Sequence, residues 1–171
     1  MSDVSAFYDR NATFASTFTQ GDLAIAPQFK TLVICCVDAR VDPTHFLGLE
    51  LGDALVMRTV GARLSGAAIT EAALLYWLMY GASEGAVKLA VALIGHTDCG
   101  MERLANPEVA SRFAERMGHD VVDAYAIGNS EATIRADLAE LMSHPQTPDG
   151  LTATAHMYDV RKGTLSPVTP D

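Results

Sequence analysis

The sequence predicts an α/β fold, a mainly parallel central sheet of about four strands flanked by helices. Three runs of strand length, TLVICCVD (31–38), ALVMRTVG (54–61) and KLAVALIGH (88–96), are β-branched and almost continuously apolar, as expected of strands covered on both faces. Helical patterns separate them, and strands joined by helical crossovers lie parallel. With 171 residues, 49% hydrophobic and 19% charged, the chain can bury one substantial core, so 1–171 reads as a single domain.

Residues 1–29 mix short apolar groups with Asn, Thr and Ser as far as Ala26-Pro27, which predicts an arm of one or two helical pieces lying on the body. AAITEAALLYWLMYGA (67–82) is helical, closed by Gly81, and apolar almost all round. It is too short to span a bilayer and is expected to be buried, in the core or against another subunit. Its YWLMY segment (76–80) reads as core rather than as a cofactor pocket. The third strand runs into GHTDCG, where Gly95 and Gly100 are expected to permit a tight turn. SEATIRADLAELM (130–142) sets Ile134, Leu138 and Leu141 at helical spacing behind a Ser130 cap, and His144-Pro145 stops it. HPQTPDG (144–150) reads as a loop, TATAHMYDV (152–160) as an alternating strand at the sheet edge, and SPVTPD (166–171) as a frayed tail.

Twelve Lys plus Arg against 21 Asp plus Glu give a formal charge of −9, which opposes a nucleic-acid surface because phosphate binding needs a basic field. There is no apolar run long enough for a membrane span, and the N-terminus has neither a basic start nor an apolar signal core, so a soluble, cytoplasmic protein is expected. No phosphate loop and no dinucleotide fingerprint is present, which leaves nucleotide cofactors unsupported.

Three cysteines, Cys35, Cys36 and Cys99, are too few and too odd in number for a disulfide framework, leaving metal binding or catalysis open. Adjacent residues of a strand face opposite ways, so only one of Cys35 and Cys36 can join a given site. Cys36, Asp38 and Arg40 share a side if the extended conformation persists to Arg40, at a strand's carboxyl end where ligand sites form in parallel sheets. His96 and Cys99 fall at the same kind of end on another strand. Taken singly, a strand cysteine is usually a small apolar filler, and Asp38 with Arg40 an ordinary ion pair. Taken together, two thiolates and one imidazole make a Cys2His zinc site with a fourth position open, the pattern of catalytic rather than structural zinc.

CVDAR (36–40) and HTDCGM (96–101) resemble the two signature segments of the β-class carbonic anhydrases, Cys-x-Asp-x-Arg and His-x-x-Cys. LGLELGDALVMR (47–58) through YDVRKGTL (158–165) is similar to the small, archaeal-type branch of that family, so the likeness runs from about residue 30 to 165. It implies a β-carbonic anhydrase-like sheet with helical arms embracing a second subunit, in a homodimer or homotetramer. It implies one zinc ion per subunit on Cys36, His96 and Cys99, with Asp38 and Arg40 as a catalytic dyad. The implied activity is hydration of CO2 to bicarbonate by a hydroxide prepared on zinc. Asp38 would accept that hydroxide's hydrogen while Arg40 fixes the carboxylate.

Where the family commonly reads Arg-Asn-Ala-Gly, this chain has Arg58-Thr59-Val60-Gly61. The change leaves a second small linear substrate open, carbonyl sulfide or carbon disulfide hydrolysed by the same attack. A third reading is a non-catalytic sensor or interaction protein stapled by a closed zinc site. His45 could shuttle protons from near the strand-end cleft, whereas His119, His144 and His156 lack partners at ligand spacing. Asp98 is expected to cap the turn after the strand or to orient a ligand.

Overall fold

The computed structural model describes residues 4–83 and 86–169. Among the described residues five strands form one sheet: β1 (Thr31–Cys36), β2 (Leu55–Thr59), β3 (Leu89–His96), β4 (Leu151–Asp159) and β5 (Thr164–Val168). Their order is β2-β1-β3-β4-β5, the first four parallel and β5 antiparallel to β4. The helices are α1 (Ser5–Ala15), α2 (Pro43–Phe46), α3 (Gly66–Tyr80), α4 (Pro107–Met117), α5 (His119–Tyr125) and α6 (Ser130–Ser143).

The two faces of the sheet are covered separately, which is why its central strands read as unbroken apolar runs. Leu32, Ile34, Leu89, Val91 and Leu93 pack against Ile69, Ala72 and Tyr76 of α3 and Ile134 and Leu141 of α6. Each such fully buried aliphatic side chain contributes about 1.5–3 kcal/mol. On the other face Val33, Cys35, Val41, Ile94 and Tyr158 form a second cluster, and Phe46 of α2 stacks on Tyr158 with ring centroids 4.2 Å apart. Side-chain caps fix the helix starts beside the sheet: Ser65 accepts from Ala68 N, and Asn106 accepts from Glu108 N and Val109 N.

Several expectations are corrected. The tail is not frayed as far as Val168: Thr164–Val168 pairs with β4, and Val168 is buried against Ala155 and its neighbours; residues 170–171 lie outside the described part. β4 is consequently an inner strand, and β2 and β5 are the edges. The helical part of the arm does not lie on the body, because α1 buries none of its residues and exposes Phe7 and Tyr8, whereas the later part does, with Pro27 buried and Gln28 N donating to Gly52 O (2.9 Å); residues 1–3 are outside the described part. Asn129, not Ser130, caps α6 by accepting from Ala132 N, which frees the Ser130 hydroxyl to donate to Glu102 at 2.6 Å. α4 and α5 were not legible as helices, although Asn106-Pro107-Glu108 carries a cap, a first-turn proline and a first-turn acid.

Candidate metal centre

The site forms at the carboxyl ends of β1 and β3, where the register sets Cys35 opposite Ile94 and brings Cys36 level with Gly95. β1 stops at Cys36, two residues earlier than expected, and the chain turns. Asp38 N donates to Cys36 Sγ (3.4 Å), Arg40 N donates to Asp38 Oδ1 (2.9 Å), and Val41 N donates to Asp38 O (2.9 Å). Asp38 and Arg40 therefore meet through a turn closed by the aspartate's own side chain, not through strand alternation.

After His96 the chain reverses at Asp98, which takes the left-handed φ of 58° that was expected of a glycine. Gly95 serves another purpose. A Cβ there would lie 2.9 Å from Met157 Sδ and 3.0 Å from Ile134 Cδ1, so the residue keeps the strand close to β4 and α6 behind the site. Cys99 then caps the 3-10 turn Gly100–Ala105, with the Glu102 amide donating to its carbonyl (3.0 Å).

The chain folds Cys36, His96 and Cys99 together so that their ligand atoms all lie within 4.8 Å of one another. All three residues are buried, at 3%, 2% and 5% exposure. His96 Nδ1 lies 3.0 Å from Thr97 O, which assigns the ring proton to Nδ1 and leaves the Nε2 lone pair free. Nε2 is buried with no hydrogen-bond partner among the described residues. An orphaned imidazole nitrogen facing two sulfurs fits a zinc ion in both donor chemistry and number. Cys36 and Cys99 are both free thiols, and their closeness drives them apart in acidity: the Cys99 thiol, aided by His96 against burial, holds Cys36 well below the usual thiol range, and the same pairing pushes Cys99 up. Cys35 faces away into the second apolar cluster, and burial raises its thiol to about 11.

Asp38 and Arg40 form a bidentate pair, Nε to Oδ1 at 3.0 Å and Nη2 to Oδ2 at 2.7 Å. Those bonds hold the Asp38 carboxyl well below the usual carboxylate range. Asp98 was expected to cap a turn or orient a ligand; instead it holds Arg40, accepting from Nη1 on Oδ2 (2.9 Å) and from Nη2 on its carbonyl (2.8 Å). Two further groups went unrecognised in the sequence. Arg58 reaches around the end of β1 to donate to Cys36 O (3.1 Å) and Asp38 O (2.7 Å). Asp137 of α6, 2% exposed, receives Arg63 Nε (2.8 Å), Arg63 Nη2 (3.0 Å) and Leu64 N (3.2 Å). Its signal was an acid on the apolar stripe of Ile134 and Leu141.

A cavity of about 10 Å³, room for about one water, is lined by His96, Cys99, Gly61, Ala62 and Asp137 among others. Beside it Val60, Met101, Leu104, Phe113, Met117 and Tyr125 help to line an apolar groove of about 310 Å³. Thr59 pairs in register with Cys36, and its Oγ1 is buried without a partner among the described residues. His45 is outside the ligand group: its ring is exposed, pairs with Asp42 Oδ2 at 3.3 Å, and borders an open groove that Arg40 also lines. His119, His144 and His156 are likewise absent from the ligand group.

A mostly parallel α/β sheet bearing two thiols and an imidazole at adjacent strand ends defines a candidate metalloprotein. Residues 31–162 match the family model described as carbonic anhydrase. Beta-carbonic anhydrase 1 of Mycobacterium tuberculosis is 26% identical over 161 residues, covering 94% of each chain. The carbon disulfide hydrolase of Saccharolobus solfataricus is 26% identical over 75% of this chain and 72% of its own. The crystal structure of a carbonic anhydrase from Streptococcus mutans superposes with a TM-score of 0.83 at 25% identity, over 99% of both chains. The chain belongs to the β-carbonic anhydrase family. Among the described residues no helix is long and apolar enough to cross a membrane.

Proposed function

We propose that the protein is a zinc-dependent carbonate dehydratase, converting CO2 and water into bicarbonate and a proton. The observation that carries this reading is the convergence of Cys36, His96 and Cys99 around an otherwise unpartnered His96 Nε2, two residues from the Asp38 carboxylate. Those three side chains would hold one zinc ion per subunit. Zinc in such a site acts as a Lewis acid and lowers the pKa of its water towards ~7.

The chain's own groups supply orientation. Oδ1 of Asp38 already accepts two N–H bonds from Arg40, whereas Oδ2 accepts one, so Oδ2 keeps a lone pair for the hydrogen of the attacking oxygen. A carboxylate held so far below its usual range does not take up a proton near neutrality. Asp38 therefore directs the nucleophile as a hydrogen-bond acceptor, and the product proton leaves to solvent or buffer. Arg58, bonded to the carbonyls on either side of Val37, keeps the carboxylate's backbone fixed against β2.

A second reading, hydrolysis of carbonyl sulfide or carbon disulfide with release of H2S, is favoured by the apolar groove at Val60 and Met101 and by the carbon disulfide hydrolases among the relatives. Both readings suit a cytoplasmic homodimer or homotetramer, to which the uncovered aromatic residues of α1 would contribute contact area. The test is stopped-flow CO2 hydration and sulfide release, measured on one preparation with one zinc per chain. CO2 hydration is expected to dominate. Greatly superior sulfide release would transfer the assignment to the second reading, and inactivity toward all three substrates at full zinc would favour a non-catalytic zinc protein.

A further inference from the structure

We infer that Asp98 is a positioning residue that clasps the Arg40 guanidinium, and through it the Asp38 carboxylate, to the loop carrying His96 and Cys99. The inference rests on the enzymatic reading above. Its starting point is a backbone conformation: Asp98 adopts φ 58°, a left-handed region that is strained for most non-glycine residues and that Asp tolerates better than most. In that conformation one residue presents two acceptors to one guanidinium, Oδ2 to Nη1 at 2.9 Å and the carbonyl to Nη2 at 2.8 Å. Asp38 takes Nε and the other side of Nη2. Arg40 thus spends four of its five N–H groups on two aspartates 60 residues apart, one on each of the two loops that form the site.

Stability does not account for this arrangement. The side chains of Arg40 and Asp98 are 48% and 56% exposed, and exposed ion pairs contribute little to folding. What the clasp restricts is rotation. Asp38 alone could swing with Arg40 about the short turn between them; fastened to Asp98, the guanidinium plane is referred to the backbone between two proposed zinc ligands. The carboxylate's free lone pair on Oδ2 then keeps its direction relative to those ligands.

Two substitutions separate this role from turn formation. Asp98→Gly suits the left-handed backbone best and removes only the carboxylate; Asp98→Asn keeps an acceptor and the backbone but loses the charge. In zinc-loaded protein Asp98→Gly is expected to lower kcat about tenfold, the low end for groups that orient metal-site residues, with KM within about twofold of wild type. Asp98→Asn is expected to recover most of that loss. Zinc content and Tm are expected to be unchanged. Independently of activity, the Arg40 Nε–H NMR signal is expected to exchange faster with solvent in Asp98→Gly than in wild type. Wild-type kcat in Asp98→Gly at equal zinc, or wild-type Nε–H exchange in it, would overturn the inference. So would loss of activity in step with loss of zinc, because Asp98 would then serve the ligands and not Arg40. If Asp98→Gly does not fold, the same measurements on Asp98→Ala, which also removes the acceptor, decide, with unaltered Arg40 exchange and unaltered kcat the overturning result. A wild-type protein inactive on every substrate sinks the enzymatic reading and leaves the Nε–H comparison readable.

Discussion

Replacing Asp137 by alanine should cost the fold about 3 kcal/mol, and the figure follows from what the side chain holds. Its carboxylate receives both sides of the Arg63 guanidinium at 2.8 and 3.0 Å and the Leu64 amide at 3.2 Å. Asp137→Ala leaves the Leu64 N–H buried without a partner, which alone costs about 1–3 kcal/mol. It also leaves a guanidinium that is only 19% exposed without its counter-ion. Breaking a buried pair from one side costs about 3–5 kcal/mol, and the lower end applies because Arg63 keeps some solvent and its bond to Ala126 O at 3.3 Å. For a chain of this length about 3 kcal/mol corresponds to a fall in Tm of roughly 6–12 °C. Urea unfolding at fixed protein concentration measures it as a lower midpoint at unchanged slope. Because Arg63 follows Gly61 and Ala62, which line the cavity beside His96 and Cys99, zinc should also be released faster from the variant. A loss below about 1 kcal/mol would refute the reasoning, since it would mean the pair is neither desolvated nor needed by Leu64.

Cys36→Ser should reduce zinc affinity by at least about tenfold, read by competition with a chromogenic chelator, whereas Cys35→Ala should keep one zinc per chain; equal loss from both would contradict the strand geometry. Thr59→Val should leave urea stability unchanged or raise it by up to about 1 kcal/mol, because the buried hydroxyl has no bond to lose; a loss greater than about 1 kcal/mol would reveal a partner for it, such as a neighbouring subunit. In Arg40→Met the Asp38 carboxyl should titrate near about 3.9, against a markedly lower midpoint in wild type, followed by carboxyl 13C NMR. The sign follows from a depressed folded-state pKa: the contribution of the pair is present above the ordinary aspartate value and is lost as pH falls through the lowered one. Identical midpoints in the two proteins would dissociate Arg40 from Asp38.

β1 and β3 were readable because both their faces are covered and they are written as nearly continuous apolar runs, β2 by its β-branched residues and β4 by alternation; the strand order was not, because it depends on pairing between distant segments. β5 was missed since Pro167 and exposed side chains make an edge strand look like a tail. The three candidate ligands could be named from spacing and resemblance, and the turn at Asp38 and the left-handed Asp98 bring them together with the dyad. Arg58, Arg63 and Asp137 were hidden for one shared reason. Each acts on backbone or side-chain groups between 20 and 74 residues away, and single-residue chemistry does not announce such a partner.

Because of the successive thiols at the end of β1, metal uptake would not by itself report that the strand has settled in the right register. Side chains alternate between the faces of a sheet, so sliding β1 by one residue against β2 and β3 would offer Cys35 to His96 and turn Cys36 into the Phe46 and Tyr158 cluster. A sulfur would still be presented, but the carboxylate two residues beyond it would be replaced by Val37. Misaligned molecules could therefore hold metal while lacking the dyad, and a batch with full zinc but a reduced active fraction would be the symptom of that error.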